Sequence, residues 1–357
     1  MKLGSLIASR YIVQKHIGQG GMQEVYLAAD KLLGIDVALK TPQAGQPNKR
    51  FSNSAKIAAR INHHNVAKTF DYFESDDGEL FLIEEYVPGE TLEDKMRRFK
   101  VVDPHLGARI FHHLSKGIAA SHHAGVVHRD IKPSNVIAEP GVNLHQLKIT
   151  DFGIATLTEE VFAAAAKDGD LTRSTSGTIK GALPYMAPEM MFRSPGEYPG
   201  PPVDIWSLGA LMFRILTGEY PFGVYLEAAV NVRNGVRRSW PAFMRANAQF
   251  APLATKLQEI VESCLQYEPE KRPSADDLVT ELSGLCYLNV HRTEGRVINL
   301  IQNGYSGFAE GPEGKVFFSM QSVYGTRKPS KAKNAHICYS KFPGLPHGRG
   351  HPIVVID

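Results

Sequence analysis

Cysteine is scarce in this chain of 357 residues, with only Cys264, Cys286 and Cys338, which lie far apart and form no CxxC pair. An odd, scattered set argues against a disulfide framework or a cysteine-based metal site. We therefore expect reduced thiols in the core of a cytoplasmic protein. The chain also has no run of about 18 or more apolar residues, which predicts that no helix crosses a membrane.

A strong excess of one charge is missing from most of the chain. Residues 1–288 carry 31 Lys and Arg against 33 Asp and Glu, whereas residues 289–357 carry 9 against 4. The net charge of +3 therefore comes entirely from the tail. Such a surplus indicates an anionic partner, although a solvated basic surface would give the same count.

Hydrophobic periodicity divides the chain into three parts. Residues 10–85 alternate apolar and polar side chains, which predicts an antiparallel sheet, crossed by one helix over residues 50–61. Helical spacing follows, and after Leu288 the strand pattern returns in five short segments. The predicted helices of the middle part are Leu92–Arg98, His105–His123, Val203–Leu216, Leu253–Leu265 and Ala275–Leu285.

A glycine-rich segment, IGQGGMQEV, joins two predicted strands near the start of the chain. Gly18, Gly20 and Gly21 would let backbone N–H groups approach phosphate oxygens without a Cβ in the way. Most glycine-rich turns are only hairpins, so the context decides. Here Val25 follows the loop, and Lys40 ends the strand VALK at a position suited to reaching phosphates.

Two clusters of polar residues follow, HRDIKPSN at residues 128–135 and DFG at residues 151–153. Together with GQGGMQEV, VALK, EYVPGETL, YMAPE, DIWSLG and KRPSA they occur in the order typical of protein kinases. The chain thus resembles a Hanks-type serine/threonine protein kinase of the bacterial kind over about residues 8–288. The resemblance implies an α+β bilobal fold, with a kinase domain over residues 1–288, a small lobe over about 1–87 and a large lobe over about 88–288.

The resemblance also implies the reaction and its residues. The γ-phosphate of ATP would pass, with Mg²⁺, to a Ser or Thr hydroxyl of a protein substrate. Asp130 would accept the hydroxyl proton, Lys132 would neutralise the transferring phosphate, and Asn135 and Asp151 would ligate Mg²⁺. The residues expected around the nucleotide are Gly18, Gly20, Gly21, Val25, Ala38, Lys40, Glu84, Glu85 and Val87.

The segment from Asp151 to Glu189 matches the activation segment of the family. Arg129 is expected to pair with a phosphate there. Glu189 and Arg272 match a buried ion pair of the family. Asp204 matches the residue that braces the catalytic loop, which is HRDIKPSN at residues 128–135. The sequence does not choose among the candidate phosphorylation sites, which are Thr172, Ser174, Thr175, Ser176 and Thr178.

One acidic residue that the family requires is missing. A small-lobe helix normally carries a glutamate that holds the strand lysine, but Ser54 stands there, and no acidic residue lies between Asp36 and Asp71. In one interpretation the protein is a pseudokinase scaffold that senses nucleotide or binds nucleic acid. In the other, Glu84 pairs with Lys40 from the hinge, which is the segment FLIEEYV at residues 81–87, unless the hinge register is shifted by one and Glu84 faces solvent.

We expect an active enzyme, because the catalytic loop and the metal-binding residues are all retained. A second departure is Ala182, which replaces a threonine whose hydroxyl normally bonds the catalytic aspartate and lysine. Losing one such bond would reduce the rate several-fold if the bond acts in the transition state, at about 1 kcal/mol. Substrate docking is therefore expected to be unusual.

The tail, residues 289–357, resembles a cold-shock domain, a small OB-type barrel that binds single-stranded nucleic acid. Phe308 and Phe317 fall in register with its base-stacking aromatics, and HGRGHPIVVID would be a closing strand. Asn299, Ser306 and Ser319 replace other members of that set. Single-stranded nucleic acid is one expected partner, and the alternative is a barrel that packs on the kinase domain or recruits a protein.

Overall fold

In the computed structural model, the structure describes residues 1–19, 23–43, 58–152, 181–192, 194, 197, 199–302, 304–330 and 334–356. Most of the helix predicted over residues 50–61, including Ser54, lies outside these ranges. The same is true of Gly20, Gly21 and the five candidate phosphorylation sites.

The small lobe is a six-stranded antiparallel sheet, as the alternating pattern predicts. Its order is β1-β2-β3-β4-β6-β5. Alternate side chains such as Tyr11, Val13, Val37 and Leu39 point into one apolar cluster, which explains the period of two. The strands are β1 (Leu6–Ile7), β2 (Tyr11–Gln19), β3 (Gln23–Asp30), β4 (Ile35–Pro42), β5 (Thr69–Glu74) and β6 (Leu80–Glu85).

The large lobe is mainly helical and contains a small sheet of β7 (Glu90–Thr91), β8 (Val136–Ala138) and β9 (Leu147–Ile149). All five helices predicted for the middle part of the chain are present. Local signals set their ends: the Asp103 carboxylate caps the second helix by accepting from the backbone of His105 and Leu106. The helices are α1 (Leu92–Phe99), α2 (Pro104–His123), α3 (Pro188–Met191), α4 (Pro202–Thr217), α5 (Tyr225–Arg233), α6 (Phe243–Ala246), α7 (Ala251–Cys264) and α8 (Ala275–Ser283).

The sequence pattern missed helix α5. Only Ala228 and Val232 of its nine residues are buried, whereas Tyr225, Leu226 and Val230 are exposed, so the apolar residues do not form one stripe that faces the core. The expectation of core cysteines was wrong at one position. Cys264 and Cys338 are buried, but Cys286 is exposed because it lies beyond the end of α8, in the connection to the tail.

The tail forms a closed five-stranded barrel with a short sixth strand at its edge. β10 pairs with β11, β11 with β12, β12 with β15, β15 with β14, and β14 with β10. The β12–β15 pairing is parallel and closes the barrel, so HGRGHPIVVID does contain a closing strand. The strands are β10 (Thr293–Leu300), β11 (Ser306–Gly311), β12 (Gly314–Ser319), β13 (Val323–Tyr324), β14 (His336–Phe342) and β15 (Gly348–Ile356).

The barrel packs directly on the large lobe, as one of the two alternatives for the tail requires. Tyr324 of the barrel places its ring 5.4 Å from Phe243 and 5.3 Å from Phe250, and it belongs to the same apolar core as α2 and α7. The Arg292 guanidinium donates to both oxygens of Asp103, at 2.6 and 2.9 Å, and both side chains are buried. We call this contact between barrel and large lobe the junction.

In the described part of the chain, none of the helices is both long and apolar enough to cross a membrane.

Candidate functional site

A cleft of about 560 Å³ lies between the two lobes. Its walls come from β2, β3, β4, β6 and the segment after β6 on one side, and from the catalytic loop and the segment after β9 on the other. Asp130 is not in the lining but contacts two residues that are. The predicted site residues that line the cleft are Gly18, Val25, Ala38, Lys40, Glu84, Glu85, Val87, Lys132, Asn135 and Asp151.

The catalytic loop holds Asp130 by two side chains that follow it in sequence. Lys132 Nζ lies 2.7 Å from Asp130 Oδ2 and 3.0 Å from Oδ1. Asn135 Nδ2 donates to the Asp130 backbone oxygen and to Oδ2, both at 2.9 Å. A turn of 3₁₀-helix over Pro133–Asn135 brings the amide back towards the aspartate. The carboxylate is therefore fixed in orientation and balanced by one cation.

Asp204, at the start of α4, braces this loop from beneath. Its carboxylate accepts from the backbone N–H of His128 at 2.8 Å and of Arg129 at 2.6 Å, and it is fully buried. His122 adds a contact of 2.9 Å to the same carboxylate. Arg129 has a φ of +62°, an uncommon conformation that these bonds stabilise. The bracing role expected of Asp204 therefore has a direct geometric basis.

The expected Glu189–Arg272 pair is present, with two hydrogen bonds of 2.6 and 2.9 Å. Ala182 is buried in an apolar cluster with Met186, and its methyl group supplies no hydroxyl at that position. The phosphate expected to pair with Arg129 would come from residues outside the described ranges.

Lys40 lies between two carboxylates at the back of the cleft. Its Nζ is 2.5 Å from Glu84 Oε2 and 2.6 Å from Asp151 Oδ1, and Lys40 and Glu84 are both buried. The contact follows from register: Ala38 is the cross-strand partner of Glu84, and Lys40 lies two residues further along the same face. The hinge is therefore not shifted by one, and Glu84 does not face solvent.

Burial and charge act in opposite directions on this cluster. Burial raises the pKa of the Glu84 carboxyl above its ordinary value, and the Lys40 ammonium opposes that rise. Burial would also raise the pKa of Asp151, but Lys40 and the other groups that contact or face this carboxylate together lower that pKa. The two neighbouring carboxylates raise the pKa of Lys40 against its burial, so the lysine stays charged. Within the described ranges, two of its three N–H donors are engaged, which leaves the third for a phosphate oxygen.

Gln23 is a site residue that the sequence reasoning missed. It is the first residue of β3, it is 4% exposed, and its Nε2 donates to Asp151 Oδ1 at 2.7 Å. A signal was present: in the pattern G-x-G-x-x-G-x-V, residue 23 occupies the place of the third glycine. A glycine there could make no such contact.

The oxygens around Asp151 and Asn135 fit a magnesium ion. Asn135 uses its Nδ2 on Asp130, which leaves the amide oxygen for a ligand. Magnesium in phosphoryl-transfer sites is typically held by one or two protein oxygens plus phosphates and water. No group of three or more His, Cys, Asp or Glu side chains that could hold a metal without such phosphates occurs in the described ranges.

Comparison with known proteins agrees with this geometry. A model of the protein kinase domain matches residues 11–282, and the chain therefore belongs to the protein kinase family. It is 30% identical to the serine/threonine-protein kinase pkn3 of Myxococcus xanthus over 79% of this chain and 51% of that protein. It is 33% identical to the serine/threonine-protein kinase PrkC of Bacillus subtilis over 65% of this chain and 34% of that protein.

A third relative, the serine/threonine-protein kinase drp72 of Corynebacterium efficiens, is 35% identical over 76% of this chain and 49% of that protein. The chain thus spans about half or less of the length of these curated relatives.

Proposed function

We propose that the protein is a serine/threonine protein kinase that transfers the γ-phosphate of ATP to protein hydroxyls, including those of its own activation segment. The observation that carries this proposal is the convergence on one cleft of Lys132 and Asn135, which hold Asp130, with Lys40 and Asp151. Phosphoryl transfer needs positioning and charge neutralisation more than covalent chemistry from the protein. A pseudokinase would not need all of these residues.

In the proposed mechanism each side chain has one task. Asp130 orients the attacking hydroxyl and accepts its proton, while Lys132, already paired with it, faces the transferring phosphate. Lys40 contributes its remaining donor to the α- and β-phosphates. Magnesium, bound by Asn135 and Asp151, would neutralise the phosphate charge.

Glu84 is the second part of the proposal. We infer that it replaces the glutamate that the small-lobe helix lacks, because it holds Lys40 from the hinge side at 2.5 Å. Asp151 holds the same ammonium from the large lobe at 2.6 Å. The lysine is then fixed by two anions whose positions depend on rigid strands and on the segment after β9.

The test is intact mass after incubation with Mg²⁺ and ATP, comparing wild type with Asp130→Asn. Added phosphates in the wild type alone would support the kinase function. No gain in either protein, even with a generic Ser/Thr peptide substrate, would contradict it and favour a nucleotide-sensing scaffold.

For the tail, the strand order supports an OB-type barrel. Numbered within the barrel, its strands pair 1-2, 2-3, 3-5, 5-4 and 4-1, with the 3-5 pairing parallel. In OB folds, the face of strands 2 and 3 binds oligonucleotides or oligosaccharides. Here these strands are β11 and β12.

A second candidate function is the binding of single-stranded nucleic acid on that face. The ring centres of Phe308 and Phe317 lie 5.6 Å apart there. Lys315 Nζ lies 4.2 Å from the centre of the Phe308 ring, and Arg349 Cζ lies 4.5 Å from the centre of the Phe317 ring. Aromatic rings beside cations are the elements that stack bases and attract phosphates. A mobility shift with short oligonucleotides that weakens with salt and with Phe317→Ala would support this function, and no shift at low salt would exclude it.

A further inference from the structure

The contact between Gln23 and Asp151 joins the two lobes across the cleft. Gln23 belongs to β3 of the small lobe and Asp151 to the large lobe, 128 positions later, and the amide donates at 2.7 Å. We propose that Gln23 is a positioning residue for the metal: it fixes the Asp151 carboxylate so that the second oxygen, Oδ2, is presented to Mg²⁺. This inference rests on the kinase function proposed above.

Two hydrogen-bond donors hold one oxygen of the Asp151 carboxylate and leave the other available. Lys40 Nζ and Gln23 Nε2 both donate a hydrogen bond to Oδ1 of Asp151, at 2.6 and 2.7 Å, so neither donates to Oδ2. An ammonium group is a compact point charge with rotatable donors and imposes little orientation on a carboxylate. A planar amide fixed at the start of a strand adds the second, directional contact. Together the two donors restrict rotation of the carboxylate.

The charges around Asp151 explain why a neutral amide suits the position of Gln23. Lys40 is shared between Asp151 and Glu84, so its charge is not devoted to Asp151 alone. A second cation beside Asp151 would compete with the metal for the same carboxylate. A neutral amide supplies a hydrogen bond without adding positive charge. Gln23 in the glycine-rich segment and Glu84 in the hinge are therefore two linked departures from the family pattern. Glu84 takes part of the interaction of Lys40 away from Asp151, and Gln23 supplies Asp151 with an additional hydrogen bond.

The other end of the amide points to a ligand. Gln23 Oε1 is buried and has no hydrogen-bond partner among the residues that the structure describes. Gln23 lines the cleft, and a buried acceptor without a partner is costly. Magnesium usually keeps several of its water ligands, and those waters are strong donors. A water bound to the metal at Asp151 would satisfy this oxygen.

The experiment measures metal binding directly. Mn²⁺ serves as the probe, and its affinity for the protein–ADP complex is measured by electron paramagnetic resonance for wild type, Gln23→Met and Gln23→Gly. Loss of a residue that orients a metal ligand typically weakens metal binding roughly 10–100-fold, and we expect a loss in that range for both variants. Gln14→Met is the matched control, because Gln14 is exposed on β2, and it should bind Mn²⁺ like wild type.

A kinetic readout separates positioning from a general structural effect. The Mg²⁺ concentration that gives half-maximal activity should rise in Gln23→Met, while kcat at saturating Mg²⁺ should recover most of the wild-type value. Equal Mn²⁺ affinity in wild type and Gln23→Met, with both proteins folded by circular dichroism, would overturn the inference. Failure of the wild type to gain phosphate or bind ADP would instead contradict the proposed kinase function.

Discussion

Two buried charge clusters, one in the cleft and one in the junction, show how differently this chain uses the same interaction. At the junction, Arg292 meets one carboxylate, Asp103, through two parallel hydrogen bonds, and the charges cancel. In the cleft, Lys40 meets two acidic side chains, Glu84 and Asp151, so one cation is shared between two carboxyl groups. The junction is complete without a ligand, whereas the cleft is arranged to receive cations.

The difference follows from what each cluster must do. A bidentate arginine pair has fixed geometry and suits a permanent contact between two domains. A lysine between two anions keeps a free donor, and the anions keep oxygens for metal and phosphate. Burial makes both clusters sensitive to the loss of one partner, because a single buried charge left behind is unfavourable.

The largest effect on stability is expected from Arg292→Met. Removing the guanidinium leaves Asp103 buried and unpaired, and breaking a buried ion pair costs roughly 3–5 kcal/mol. Denaturant unfolding followed by fluorescence would measure the change. The double variant Arg292→Met with Asp103→Asn should recover much of the loss, since the unpaired charge is then gone. A single variant as stable as wild type would show that the junction pair contributes little.

Glu84→Gln should affect activity more than stability. Lys40 and Asp151 would remain as a balanced pair, but the ammonium would lose its hinge anchor, and a displacement of about 1 Å at a reacting group can reduce the rate about 10²-fold. We expect phosphate transfer close to that of Lys40→Met, measured with a peptide substrate. Glu79→Gln, an exposed change in the turn before β6, is the control and should be as active as wild type. Full activity in Glu84→Gln would disprove the anchoring role.

Acid should weaken the junction. The ring of His351 stacks on that of Phe250, with 5.4 Å between ring centres, and its centre lies 6.1 Å from that of His105. Burial lowers the pKa of both histidines below the usual 6.5. The unfolded chain therefore takes up these protons first. Their contribution to stability is complete above pH 6.5 and is lost as the pH falls through the lower native pKa.

Thermal melts between pH 8 and pH 5 would test this dependence. His351→Phe preserves the stacking but does not titrate, so it should reduce the slope of melting temperature against pH. An unchanged slope would place the dependence elsewhere.

The smallest effect is expected at an exposed pair. Lys256 and Glu259 lie one turn apart on α7, 2.6 Å from each other, with both side chains more than half exposed. Water and salt screen such pairs, so Lys256→Met should leave the denaturation midpoint unchanged within error. A loss comparable to that of Arg292→Met would mean that exposure does not separate the ion pairs of this protein.

Regular patterns in the sequence predicted the parts of the molecule that local physics controls. The five predicted helices and the longer strands of both β regions follow from apolar spacing and from caps such as Asp103, whereas the two-residue strands β1 and β13 were not predicted. The contact of Glu84 with Lys40 was within reach because two adjacent strands in register place these residues on one face. Helix α5 was missed because only two of its positions are buried.

Contacts between distant segments could not be predicted in this way. Gln23 meets Asp151 across 128 positions, and Arg292 meets Asp103 across 189. No periodicity links such residues, because their approach depends on how the two lobes close and how the barrel docks. The same reasoning left open whether the tail packs on the kinase domain, and its apolar contacts with α2 and α7 decide that question.

The sequence by itself determined the family and the catalytic loop, because short motifs place those side chains through local backbone geometry. It also showed directly that no acidic residue lies between Asp36 and Asp71. The tertiary structure alone decided that Lys40 is shared between Glu84 and Asp151, that Gln23 reaches Asp151, and that Arg292 joins the barrel to the large lobe. The physical reason is that buried charges require partners, and only the folded chain shows which distant residues can supply them.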